Sequence, residues 1–327
     1  MTTLVTGATG FIGTHLIKAL VNEGRDVRCL TRTPDNKKKI EALGAEAFVG
    51  DLLKTNSLSA ALKGVNVIYH LAGEVYSRNV KDYVAVNVAG TQNLLECCRN
   101  NGIGRFIHCS SIAAAGPNPD KNTLLTENLP CNPITPYGQS KLEAEKIVLH
   151  YYETFKLPVV IIRPPTVYGP GQSDAITEFF RQVKKGKFYI IDDGQYLRSL
   201  CYVTNLIDGF LLAEKNREAV GEIFYISDKE VYTFKEIALK IAEAENIKLV
   251  FANLPSAIAD TAMFTFNILQ KYFNVNILKL YTIGTLKINL GCSIKKAEKV
   301  LSYRPNINLK EGLLRTSEHL KAKHELQ

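Results

Sequence analysis

The segment Gly7-Ala8-Thr9-Gly10-Phe11-Ile12-Gly13 constrains this 327-residue chain more than any other. It follows the strand-like run TTLVT (2–6) directly and opens the helix-like segment 11–23, so a G-x-x-G-x-x-G triplet occupies a strand-to-helix turn. Each glycine has a physical use there. Gly7 permits a tight turn, Gly10 lets backbone approach a pyrophosphate without a Cβ in the way, and Gly13 lets the helix sit close to the sheet. The helix N-terminus then offers unpaired N–H groups and the positive end of its dipole to phosphates. A glycine triplet alone also marks ligand-free turns; the strand–loop–helix setting gives it weight.

The rest of the N-terminal half supports that setting. Strand-like runs at 26–31, 45–49, 65–71, 105–109 and 158–163 alternate with helix-like segments at about 34–43, 55–63, 80–101 and 137–156. Such alternation predicts a parallel sheet covered by helices on both faces. After about residue 170 the rhythm breaks: helix-like 173–186, a short strand at 188–191, the turn Asp192-Asp193-Gly194, and a strand-to-helix unit at 200–215. A β-like run at 222–227, a helix at 233–245, the apolar stretch 251–286 and amphipathic segments at about 293–302 and 309–323 follow. The reading is a nucleotide-binding domain over 1–170, revisited at about 200–227, interleaved with a substrate-binding domain over 171–327.

Composition excludes several classes. Apolar residues make up 46% and charged residues 22%, the profile of an ordered globular protein rather than a disordered or collagen-like one. The seven cysteines (29, 97, 98, 109, 131, 201, 292) form no C-x-x-C, which argues against a disulfide framework or zinc site and for reduced thiols in the cytoplasm; no metal is expected. No apolar run reaches the length of a membrane span, and TTLVT reads as a strand, not a secretory leader. The net charge is +8, but basic runs are short and do not interleave with aromatics, so no nucleic-acid partner is expected.

The strand ends hold further candidates. No carboxylate stands at 29–33 to take a ribose 2′-OH, and Arg32 is placed to accommodate a 2′-phosphate, so NADP(H) is the expected cofactor and NAD(H) the alternative. Asp51, after the third strand, is placed to accept from an adenine amino group or to cap the segment starting near 55. His70-Leu71-Ala72-Gly73 ends the fourth strand with small residues that allow close passage of a dinucleotide; His70 reads as a strand-end residue, not a catalyst.

Thr135 as N-cap and Pro136 at the first helical position open a helix on which Tyr137 and Lys141, four apart, share a face. A phenol of pKa about 10 is a weak acid or base at neutral pH, and a nearby ammonium favours its phenolate. Ser111, at the end of the fifth strand, is placed to hydrogen-bond a substrate oxygen.

Taken in order, TGATGFIG (6–13), GDL (50–52), HLAG (70–73), NVAGTQNLL (87–95), SSIAAAG (110–116), PYGQSK (136–141), RPPTVYGPG (163–171), RSLCYVTNLIDG (198–209) and KAEKVLSYRP (296–305) resemble the extended short-chain dehydrogenase/reductases, the NAD(P)-dependent epimerase/dehydratase superfamily. The resemblance implies an α/β fold: a Rossmann-like doubly wound parallel sheet with a smaller, discontinuous C-terminal α/β substrate domain. It implies a Ser111/Tyr137/Lys141 catalytic set with Tyr137 as acid/base. It implies a cofactor-binding set of Gly7, Gly10, Phe11, Ile12, Gly13, Arg32, Asp51, Leu52, Leu71, Ala72, Gly73, Asn87, Tyr137, Lys141, Pro164, Thr166 and Val167. Asn87 supports the site from a long central helix, and segment 164–167 flanks the nicotinamide.

Within the family, Thr31-Arg32 is closer to NADPH-dependent reductases, and Ser111-Ile112-Ala113 lacks the carboxylate or lysine of dehydratases. Arg198 has two readings, a substrate diphosphate contact or a surface salt bridge. Stretch 251–286 reads as a hydrophobic helix closing the substrate domain, with a lipophilic substrate or membrane-surface contact as the alternative. The expectation is an NADP(H)-dependent oxidoreductase interconverting a ketone and a secondary alcohol. An NAD-dependent sugar-nucleotide 4-epimerase is the alternative, and a non-catalytic dinucleotide sensor ranks last. The substrate is a nucleotide sugar or a lipophilic ketone or alcohol, and a homodimer through helices at about 80–101 and 137–156 is expected by analogy.

Overall fold

A computed structural model describes residues 1–99, 101–172, 175–273, 275 and 277–323. In chain order its strands are β1 (Thr2–Thr6), β2 (Asp26–Thr31), β3 (Glu46–Val49), β4 (Val67–His70), β5 (Arg105–Cys109), β6 (Val159–Arg163), β7 (Thr166–Tyr168), β8 (Lys187–Ile191), β9 (Leu197–Tyr202), β10 (Ile223–Tyr225), β11 (Val231–Thr233) and β12 (Val250–Leu254). Seven of them form one sheet in the order β10-β6-β5-β4-β1-β2-β3. Every pairing in it is parallel.

Period-two alternation of apolar side chains builds two cores on this sheet. Leu4, Phe106, Val159 and Ile161 point to the face packed by the helices Gly90–Arg99 and Pro136–Phe155. Their neighbours Val5, Ile107, Val160 and Ile162 point to the opposite face, against the helices Phe11–Asn22 and Val203–Lys215. The fold is the expected Rossmann-like α/β arrangement. Strand order reverses between β1 and β4, and ligands of such sheets bind at that crevice, beyond the C-terminal strand ends.

Two smaller sheets, β11-β9-β7 and β12-β8, carry a separate core with Tyr168, Phe180, Phe188, Ile237 and Leu313. The helix Phe234–Glu245 begins with a reciprocal Thr233–Glu236 capping box. Two expectations change here. The apolar stretch 251–286 is not one helix: it starts as β12, parallel to β8, and continues as the helices Ser256–Phe273 and Leu278–Thr285. The long helix expected over 80–101 is helical over Val80–Arg99 but passes through a π-helical stretch at Val84–Ala89. Residues 173 and 174 of the helix expected at 173–186 lie outside the described residues; Ala175–Lys184 is helical. Among the described residues no helix is long and apolar enough to cross a membrane, and all seven cysteines are unpaired.

Candidate active site

One cleft of about 1410 Å³ runs along the C-terminal ends of β1, β2, β4, β5 and β6. Its floor is the glycine loop. Gly7 has φ +72°, and a Cβ there would come within 2.7 Å of the Ala72 nitrogen. A Cβ on Gly13 would overlap the Gly7 carbonyl oxygen, so the helix can start against the loop only if this position is bare. The Gly10 N–H closes the turn on Gly7 O at 3.0 Å. No side chain caps the helix Phe11–Asn22, and its first turn holds no carboxylate. The helix therefore presents uncapped donors and a positive dipole end to the cleft, which fits the pyrophosphate of a dinucleotide.

Leu52, Leu71, Ala72, Gly73, Pro164, Thr166 and Val167 line the same cleft. Arg32 lines it at the end of β2, beside Thr31 and Thr33. Asp51 lines it too, and its carboxylate accepts from the Leu53 N–H at 3.0 Å. It thus caps its own turn, whereas the short helix Thr55–Ser57 has no side-chain cap.

Ser111, Tyr137 and Lys141 all line this cleft. Ser111 follows β5, where its Oγ accepts from the Ala113 N–H at 3.1 Å and starts a short 3₁₀ turn. Tyr137 and Lys141 project from the helix Pro136–Phe155. Thr135 caps that helix by accepting from the Gly138 N–H at 3.0 Å, with Pro136 in the first turn. A Cβ on Gly138 would overlap the Ala113 carbonyl oxygen. This bare position lets the Tyr137 helix lie directly on the Ser111 turn. The Tyr83 ring packs edge-on to Tyr137, with centroids 6.1 Å apart. Lys141 is buried, and its Nζ donates to the Cys109 carbonyl at 2.6 Å. Burial lowers its pKa from the usual lysine value, partly opposed by Cys109 and Glu145.

Asn87 does not line the cleft; it holds the cleft wall from behind. Its Oδ1 accepts from the Glu74 N–H at 2.7 Å, and its Nδ2 donates to Glu74 O at 3.0 Å and Ser140 Oγ at 2.9 Å. Arg198 is likewise absent from the lining, and it is buried rather than part of a surface salt bridge. Its guanidinium donates to the carbonyls of Leu197, Thr285 and Ile288 and lies 4.3 Å over the Phe234 ring.

Two groups of supporting residues escape a reading of motifs. First, Glu145 accepts from Ser110 Oγ and forms a buried ion pair with Arg163 at 2.6 Å. Arg163 opens the motif RPPTVYGPG at the end of an apolar strand, and Glu145 is marked only by its i,i+4 spacing from Lys141, so neither signal gives the pairing. Second, His70 is not an inert strand end. The Ala72 N–H donates to Thr6 Oγ1 at 3.1 Å, Thr6 Oγ1 meets His70 Nδ1 at 2.7 Å, and His70 Nε2 meets Thr91 Oγ1 at 2.9 Å. Thr91 gives its own proton to Asn87 O at 2.6 Å. Thr91 must therefore accept from His70, so the imidazole carries its proton on Nε2 and accepts the Thr6 hydroxyl at Nδ1. Burial, with Lys141 nearby, pushes the His70 pKa down to about 3 and keeps this neutral form.

The profile of the NAD dependent epimerase/dehydratase family matches residues 3–227. An uncharacterized protein, y4nL of Sinorhizobium fredii, is 32% identical, with 96% of this chain and 93% of that protein covered. A 4-hydroxy-2-methyl-3-oxo-4-farnesyl-3,4-dihydroquinoline-1-oxide ketoreductase of Stigmatella aurantiaca is 30% identical over 80% of this chain and 78% of its own. The solved UDP-glucuronic acid 4-epimerase of Bacillus cereus, in complex with UDP-glucuronic acid and NAD, is 28% identical. It covers 99% of this chain and 100% of its own with a TM-score of 0.79. By the span that the family profile matches, and by the fold it shares with the solved epimerase over 99% of its length, the chain belongs to the NAD-dependent epimerase/dehydratase family of enzymes.

Proposed function

We propose that this enzyme exchanges hydride at a secondary carbinol carbon, with Tyr137 giving and taking the carbinol proton. The observation that carries the reading is the shared cleft: Ser111, Tyr137 and Lys141 line it together with a glycine cradle built for a dinucleotide. The bound nicotinamide supplies or accepts the hydride. Ser111 hydrogen-bonds the substrate oxygen and holds it toward the Tyr137 hydroxyl. The Lys141 ammonium favours the phenolate and would hold the ribose of a bound cofactor. Gly73 passes beside it, since a Cβ there would lie 3.8 Å from Lys141 Nζ. Replacing Tyr137 with Phe tests the reading: turnover falls by about 10²–10⁴-fold while cofactor still binds. Turnover near wild type in that variant sinks it.

Kinship favours one use of this chemistry, the 4-epimerisation of a nucleotide-linked sugar, in which one ring carbon is oxidised and re-reduced on a retained NAD. The structural likeness to the NAD-bound epimerase extends over the whole chain, and sugar 4-epimerases recur among the full-length relatives. This moves the weight away from the ketone–alcohol oxidoreductase expected from the sequence. A second reading keeps that function, with NADP(H) exchanging as a cosubstrate. Its specific support is Arg32 at the mouth of the adenosine end and Arg198 turned onto backbone carbonyls. The ketoreductase and sterol dehydrogenase relatives are consistent with it. Mass spectrometry of the purified, denatured protein separates the two: stoichiometric retained NAD supports the epimerase, none supports the oxidoreductase. A homodimer through the helices at 80–99 and 136–155, acting in the cytoplasm, completes the proposal.

A further inference from the structure

The catalytic cleft does not stop at Ser111 and Tyr137. It continues to a mouth between the loop that follows β4 and the helices Ser256–Phe273 and Leu278–Thr285. Val75 and Tyr76 line one side of this mouth, and Phe266, Val275 and Ile277 line the other. An antiparallel bridge between Asn79 and Val275 joins the two sides. Four of these side chains, Val75, Tyr76, Val275 and Ile277, are 45%, 50%, 39% and 40% exposed, whereas Phe266 is buried. Apolar side chains gathered at the opening of an active site, four of them left in water, mark a surface that gains by being covered.

Arg198 sharpens the point. Its guanidinium is directed onto the carbonyls of Thr285 and Ile288, and the cations that line the mouth are Arg78 and Lys279. Thr285 ends the helix Leu278–Thr285, so Arg198 fastens the apolar wall in place and does not line it. Gln270 and Lys279 supply the polar groups of that wall, and Glu74, Ser77 and Arg78 those of the facing loop.

We propose that this mouth is a subsite for the apolar tail of an amphiphilic substrate whose secondary alcohol or ketone lies at Ser111 and Tyr137. The proposal rests on the carbinol reading above and adds the substrate class to it. It holds for a free lipophilic alcohol and for a head group carried on a lipid, because both place a polar carbinol inside and hydrocarbon at the opening.

The probe is a series of 2-alkanols from 2-butanol to 2-decanol, titrated calorimetrically into protein saturated with reduced cofactor, so that binding is read without turnover. The expected result is a Kd that falls about fourfold per added methylene. In the double variant Val75→Ser/Ile277→Ser, at two exposed positions outside the catalytic set, the slope drops below about twofold per methylene, as expected for lost apolar contact. The affinity for 2-butanol and the thermal midpoint stay unchanged. A wild-type Kd independent of chain length, or a slope equally steep in the double variant, overturns the proposal. The same titration in Tyr137→Phe keeps the two readings apart. Chain-length dependence persists there if the subsite exists, whatever happens to turnover, whereas undiminished turnover strikes only the carbinol reading.

Discussion

The Lys141 ammonium donates to the Cys109 carbonyl at 2.6 Å, which ties the Tyr137 helix to the end of β5, two residues before Ser111. Burial lowers the pKa of this lysine, so its charge is lost at a lower pH than the usual value of about 10.4. The pH profile of kcat/KM therefore has an alkaline limb below that value. Lys141→Met abolishes the limb and lowers the rate by about 10²-fold or more. Stability runs the other way. Between the folded and unfolded pKa values the unfolded chain binds more protons, so unfolding free energy rises with pH across that window. At neutral pH the buried cation is a cost, and Lys141→Met is at least as stable as wild type in urea.

The Glu145–Arg163 pair is almost wholly buried and bonded at 2.6 Å. Removing one partner strands the other charge, so Arg163→Met costs about 3–5 kcal/mol in chemical denaturation. Glu145→Gln combined with Arg163→Met recovers most of that loss. A double variant as unstable as the single one contradicts the account.

His70 and His108 lie in the sheet interior with ring centroids 5.4 Å apart. Burial lowers both pKa values, that of His70 to about 3. Their unfolded values lie near 6.5. Both groups bind more protons unfolded than folded below that pH, so the stability they contribute when neutral is lost as pH falls from about 6.5 toward 3. Among the described residues, His108 has no hydrogen-bond partner at either ring nitrogen. His108→Leu is therefore expected to raise the thermal midpoint at pH 5.5 and flatten the acid dependence. The same replacement at His70 breaks the Thr6–His70–Thr91 chain and lowers the midpoint.

Gly138 packs against the Ala113 carbonyl without room for a methyl group. Gly138→Ala pushes the Tyr137 helix away from the Ser111 turn. The expected outcome is a kcat lowered by about 10²-fold with cofactor Kd within a factor of about three, since a displacement near 1 Å costs that much in alignment. Equal kcat in the variant removes this packing from the account of the site.

Much of the N-terminal half was legible because its signals are local. Runs such as PVVIIR and the Thr135-Pro136 helix start need no distant partner, and nearly every residue expected at the cofactor lines one cleft. What stayed hidden depends on neighbours far along the chain. The stretch at 250–254 is a strand because β8 offers it an edge 63 residues earlier, at Lys187↔Val250; its apolar composition suits a helix equally well. Arg198 in the sequence reads equally as a diphosphate contact or a surface salt bridge, and only the placement of Thr285 and Ile288 shows where its donors go. Glu145 reads as a polar helix residue until Arg163 and Ser110 are brought beside it.

The edge strand β10 joins β6 only after the chain has built β7, β8 and β9. Recombination with a relative by one crossover near residue 170 would therefore exchange more than the substrate-facing wall. It would also replace the outermost strand of the seven-stranded sheet and the helix Val203–Lys215 that packs on β5 and β6. A working hybrid needs at least two further junctions, one before β9 and one after β11, so that each sheet keeps strands that evolved together.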